Sequence, residues 1–107
     1  MIYLKLDFDK TGLDCFFKPY QIRTLELLEM KQPAITFDLW ESQKDDVSRA
    51  SVINFLAEME RRNLLRSFET TGKGGHRPNY TFADGDLKGL RKRLAEDFRR
   101  KAEELGK

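Results

Sequence analysis

The chain has 107 residues, 39% of them hydrophobic and 36% charged, which suits one globular domain with a single modest core. No run approaches the 18 or more apolar residues of a membrane helix, and the opening MIYLKLDFDK lacks the unbroken apolar stretch of a leader, so a cytoplasmic location without membrane contact is expected. The net charge is only +2, but residues 1–47 hold 6 basic and 9 acidic side chains whereas residues 48–80 hold 6 and 3, an asymmetry that suits a polyanionic partner.

In chain order, Ile2, Leu4, Leu6 and Phe8 stand at alternate positions with Lys5 and Asp7 between them, the period of a half-buried strand, and TGLD then turns the chain. Residues 1–17 are therefore expected to form an N-terminal strand or arm. Cys15 lies among apolar neighbours in LDCFF, as a buried small hydrophobe does. One cysteine and one histidine supply neither a disulfide nor the ligand set of a zinc site, so no metal and no cofactor are expected. Pro19 suits the first turn of a helix, Ile22, Leu25 and Leu28 follow at helical spacing, and KQP ends the run. After a short extended AI, Thr36 is placed to cap a brief second helix with Phe37, Leu39 and Trp40 as its apolar residues.

The segment SRASVINFLAEMERRN is the most informative. Ser48 is placed to cap a third helix in which Val52, Phe55, Leu56 and Met59 recur at i, i+3, i+4 and i+7 and define a buried stripe. On 100° spacing the opposite face carries Ala50, Asn54, Ala57 and Arg61, flanked by Ser51 and Ile53. Small and short polar side chains fit a helix lying in a DNA major groove, where Asn bonds adenine, Ser bonds a base edge or phosphate, and Ala meets a thymine methyl.

LLRSFETT then reads as a strand anchored by Leu65 and Phe68, and NYTF as a second strand with Tyr80 and Phe82 on one face. TGKGGHRPNY, residues 71–80, is thus expected to be mostly the loop of a hairpin. It is not a nucleotide-binding P-loop, because Ser67 stands where the first glycine should be, Gly74 follows Lys73, and no helix begins there. What remains is a charged tip bearing Lys73, His76 and Arg77. Asp86 can cap a last helix whose Leu87, Leu90, Leu94, Phe98, Ala102 and Leu105 form a stripe. Spacing alone does not separate packing on its own domain from packing on a second subunit. About 20 residues, however, make a helix of roughly 30 Å, longer than a core of this size covers. Part of the stripe is therefore expected to meet a partner, and Leu87, Leu90, Leu94 and Phe98 are assigned to a dimer interface.

The expected fold is α+β and predominantly helical. Three short helices followed by a hairpin is the order of a winged helix-turn-helix over residues 18–83, with the arm before it and a dimerisation helix over 84–107 behind it. FFKPYQ before helix one, SRASVINFL in helix three and TGKGGHRPNY in the hairpin also resemble archaeal-type members of the penicillinase-repressor family of transcriptional regulators. Ala50, Ser51, Val52, Asn54 and Leu56 correspond to that family's helix-three pattern, Val52 and Leu56 as core, Ser51 and Asn54 in character only. The resemblance implies a homodimeric repressor. Copper-responsive relatives carry a C-terminal cysteine motif that is absent here, and bacterial members have a longer C-terminal region.

These readings converge on a regulator that binds double-stranded DNA as a homodimer, with no effector legible in the sequence. Ser48, Arg49 and the start of helix three would hold phosphates, Ser51 and Asn54 would contact bases, and Lys73, His76 and Arg77 would reach the backbone or minor groove. The competing reading is a winged-helix module that binds protein, since the fold serves both ends. Lys73, His76 and Arg77, with no acidic residue between 70 and 80, favour DNA. An enzyme is not expected, because the only histidine lies on the hairpin tip and no nucleophile, base and acid arrangement is evident.

Overall fold

The computed structural model describes residue 13, residues 16–72 and residues 75–106. The expected strand at Ile2–Phe8, Cys15 and Lys73 lie outside the described residues. Among the described residues the fold is α+β and mainly helical, with four α-helices and one three-stranded antiparallel sheet.

Helix α1 spans Pro19–Lys31, with Pro19 at its first position, where the missing N–H costs nothing. The Gln21 side chain reaches back to accept from the Lys18 N–H at 2.9 Å, satisfying a donor at the helix entry. The helix stops before Pro33, whose ring disfavours helical geometry at Gln32, and Gln32 is extended. Gln32 then acts as a brace: its amide nitrogen donates to the Gly85 carbonyl at 2.8 Å, and its amide oxygen accepts from the Phe82 N–H at 3.0 Å.

Strand β1, Ala34–Ile35, runs straight into helix α2, Thr36–Trp40, which continues as a 3₁₀ turn over Glu41–Gln43. The cap expected at Thr36 is not there: Thr36 is the first helical residue, Ile35 occupies the cap position, and no side chain caps the start. The reason is β1, whose pairing holds Ile35 extended up to the helix. Trp40 Nε1 donates to the Val47 carbonyl at 2.8 Å, fixing the path into the next helix. Buried Gln43 is satisfied by donating to Thr24 Oγ1 and the Leu39 carbonyl and by accepting from Arg23 Nε.

Helix α3 spans Arg49–Arg61, and Ser48 caps it by accepting from the Ser51 N–H at 3.1 Å. Val52, Phe55, Leu56 and Met59 are all buried, so its stripe faces the core as the periodicity requires. The helix ends in a Schellman arrangement: Leu64 N–H donates to the Met59 carbonyl and Asn63 N–H to the Glu60 carbonyl, with Asn63 at φ 63°.

Strands β2, Leu65–Gly72, and β3, Gly75–Phe82, pair antiparallel from Leu65↔Phe82 out to Gly72↔Gly75. Residues 71–72 and 75–78 are therefore strand rather than loop, a correction to the reading of TGKGGHRPNY, while 79–82 are the strand expected. The β-branched pair Thr70 and Thr71 carries the ladder outward, opposite Arg77 and His76, and Gly75 takes φ 101°, which a side chain would resist. β1 joins the far edge of β3 through Ala34↔Tyr80 and Ile35↔Asn79, giving the order β1-β3-β2. Tyr80 and Phe82 are buried together as expected, but Phe68 is 48% exposed. Leu65 and Phe68 are three apart, and alternation sends them to opposite faces.

Helix α4 spans Leu87–Leu105, with Asp86 Oδ1 accepting from the Gly89 N–H at 2.8 Å. Its first half is fastened to the rest of the chain. Glu29 accepts from the Leu87 N–H at 2.8 Å, and Arg93 spans from the Asn63 carbonyl to Asp84, both at 2.8 Å. Leu90 and Leu94 are 1% and 3% exposed in the chain's own core, and Leu87 packs beside them. The assignment of Leu90 and Leu94 to a dimer interface is therefore corrected, since they have almost no surface left for a partner, whereas Leu87 is half-buried. Phe98 differs: its ring lies 6.2 Å from that of Phe16, edge to face, and it stays 42% exposed. Leu13 and Phe17, from the segment assigned to the arm, are buried in the same core.

Candidate nucleic-acid interface

The surface is assembled from the residues that α3 and β3 do not spend on the core. Ala50, Ile53, Asn54, Ala57 and Arg61 are exposed on α3 because Val52, Phe55, Leu56 and Met59 take the inward stripe. Arg61 is ion-paired to Glu58 one turn back, so part of its charge is balanced. The Asn54 amide makes no hydrogen bond to the described residues, leaving its donors and acceptor available. Ser51 is placed otherwise. Its hydroxyl lies 2.9 Å from that of Ser48 and the residue is half-buried, so it belongs with the cap more than with the projecting face.

Arg49, first residue of α3, faces the hairpin across a concavity of about 330 Å³. One wall is Thr36 and Phe37 at the start of α2, and the other is His76, Arg77 and Pro78 of β3. Two sequence features keep this space open. β1 is only two residues long and pairs with β3 at Asn79 and Tyr80, so among the described residues no strand pairs with that edge of β3 from Pro78 outward. Pro78, which lacks an N–H, suits such an edge position. Among the described residues that line the concavity none is acidic, and Arg49 and Arg77 give that lining a positive charge.

The structure thus brings Arg49, His76 and Arg77 together, with Ser48 and Ser51 adjoining at the α3 start and Asn54 a turn further along. Sequence reasoning missed Thr36 and Phe37 as walls of the cleft. Their placement follows from the β1–β3 pairing, and a two-residue strand leaves no periodicity to detect. Behind the cleft the hairpin is held to α3 by Ser67, whose hydroxyl donates to Glu60 at 2.6 Å. Burial, with Glu60 nearby, pushes the Tyr80 hydroxyl above its ordinary pKa of 10.0, so it stays protonated across the physiological range.

A second concavity, lined by Arg23, Glu26, Met30, Ser42 and Asp46, carries both signs of charge and offers no comparable focus. No helix among the described residues is long and apolar enough to cross a membrane. No protein-family model matches the chain, and no curated protein matches it.

Proposed function

We propose that this chain is a sequence-specific DNA-binding regulator of transcription, a repressor, built as a winged helix-turn-helix and acting as a homodimer on a pseudo-palindromic site. In this reading α1, α2 and α3 are the three-helix unit, α3 lies in the major groove, and β2 and β3 are the wing beside it. The observation that carries it is the cleft lined by Arg49 on α3 and by His76 and Arg77 on β3, with no carboxylate among the described residues of its walls. A phosphate there would be approached by two guanidinium groups, while the adjoining face of α3 presents short side chains that let the helix backbone come near base edges. The resemblance of FFKPYQ, SRASVINFL and TGKGGHRPNY to the penicillinase-repressor family supports the same assignment.

The test is a salt titration of binding to duplexes enriched by the protein from a random pool. Arg49→Ala combined with Arg77→Ala is expected to lower affinity for enriched and random duplexes alike. The slope of log K against log salt should fall by roughly 2 per chain. An unchanged slope would remove the cleft from the interface, and a module that binds protein would become the better description.

A further inference from the structure

Ile53 is 43% exposed on a helix whose other large aliphatic residues, Val52 and Leu56, are wholly buried. A β-branched residue on an exposed helical position gains no packing and is a weaker helix former than the Ala, Glu or Lys that such positions usually hold. Its setting is specific. Arg49, Ile53 and Ala57 stand at i, i+4 and i+8, so they form one ridge that leaves the electropositive cleft at Arg49 and runs along α3. Asn54, with no hydrogen-bond partner among the described residues, stands in the neighbouring row after Ala50.

A ridge that starts at a phosphate-binding arginine and continues as exposed aliphatic surface beside an unengaged carboxamide matches one step of the major groove. Adenine offers an acceptor and a donor to a carboxamide, and its thymine partner offers the only methyl group in the groove. We infer that Ile53 is a specificity-determining residue that packs on the C5-methyl of a thymine, while Asn54 reads an adenine at the same or the adjacent step. The inference rests on the reading of α3 as the groove helix and names what that helix recognises: an A·T step in each half-site, sensed through a methyl group and not by hydrogen bonds alone. Ser51, tied to Ser48, is not required for it.

Deoxyuridine differs from thymidine only by the missing methyl, which makes it the direct probe. Each thymine of the enriched duplex is replaced in turn by deoxyuridine, and binding of the unaltered protein is measured by anisotropy. One or two positions per half-site should lose about fourfold in affinity, the scale of burying one methyl-sized group. The same replacements should cost nothing further in Ile53→Ala, an exposed site whose truncation leaves the core intact. Tight binding that is indifferent to deoxyuridine at every position would overturn the inference and leave the DNA-binding reading standing. Methyl sensitivity that persists in Ile53→Ala would assign it to another residue, and failure to enrich or bind any duplex would overturn both.

Discussion

Asn63 shows how one residue sets the direction of everything after α3. Its φ of 63° turns the chain from the helix into β2, and its carbonyl accepts from Arg93 of α4, so a single left-handed residue links three elements. Asparagine and glycine enter this region cheaply, whereas a β-branched side chain does not. Asn63→Val should therefore lower stability by about 1–2 kcal/mol and Asn63→Gly should not, as read by chemical denaturation. Equal stability of the two variants would show that the turn relaxes to another geometry. At this scale much was legible: Ser48, Pro19 and Asp86 each stand where capping chemistry places them, because those contacts span only three or four residues. Thr36 was misread for the complementary reason, a long-range strand pairing that decides its position. Ser51 looked available by spacing alone, and only its contact with Ser48 in the fold shows its hydroxyl engaged.

Among the elements, α3 was the most readable and α4 the least, although both have clean apolar stripes. Periodicity says which residues share a face but not what covers it. For α3 the chain itself was the only candidate, whereas for α4 the bonds from Glu29 and Arg93 decide that Leu90 and Leu94 turn inward. The hairpin was legible as a pair of strands but not in its reach, since glycine and basic residues suggest a loop while the ladder continues to Gly72↔Gly75. Close packing at the start of α4 makes a further prediction. Gly89 sits in the first turn, and a Cβ there would lie 2.8 Å from both the Cβ and the carbonyl oxygen of Asp84. Alanine would gain up to about 1 kcal/mol in helix propensity, but displacing a backbone carbonyl held near the Arg93–Asp84 pair costs about 1–3 kcal/mol. Gly89→Ala should thus destabilise the protein on balance, with a lower melting temperature. A stabilised variant would mean that the loop before α4 yields easily.

At the scale of the whole molecule, the longest dimension is 53 Å against 27 and 21 Å for the others. A helix of the length of α4 extends about 28 Å, and only its first half is packed into the core. Beyond Leu94 the stripe continues through Phe98, Ala102 and Leu105, which are spaced by four and three residues; Phe98 is half-covered by Phe16 and Leu105 is 88% exposed. A homodimer, if formed through α4, must therefore use this distal half, and the two halves of the helix answer differently to mutation. Leu94→Glu should not give a folded monomer. It buries a carboxylate beside Leu90 and should cost more than about 4 kcal/mol, unfolding much of the domain. Phe98→Glu combined with Leu105→Glu changes exposed positions, so helical content should persist while sedimentation shifts from dimer to monomer and affinity for a two-half-site duplex falls well below that of the parent. Affinity for a single half-site should change little, because the α3 ridge and the Arg49 cleft are untouched. An intact dimer for this double variant would place the subunit contact on another surface, and in the proposed reading would reset the spacing between the two α3 helices on a pseudo-palindromic site.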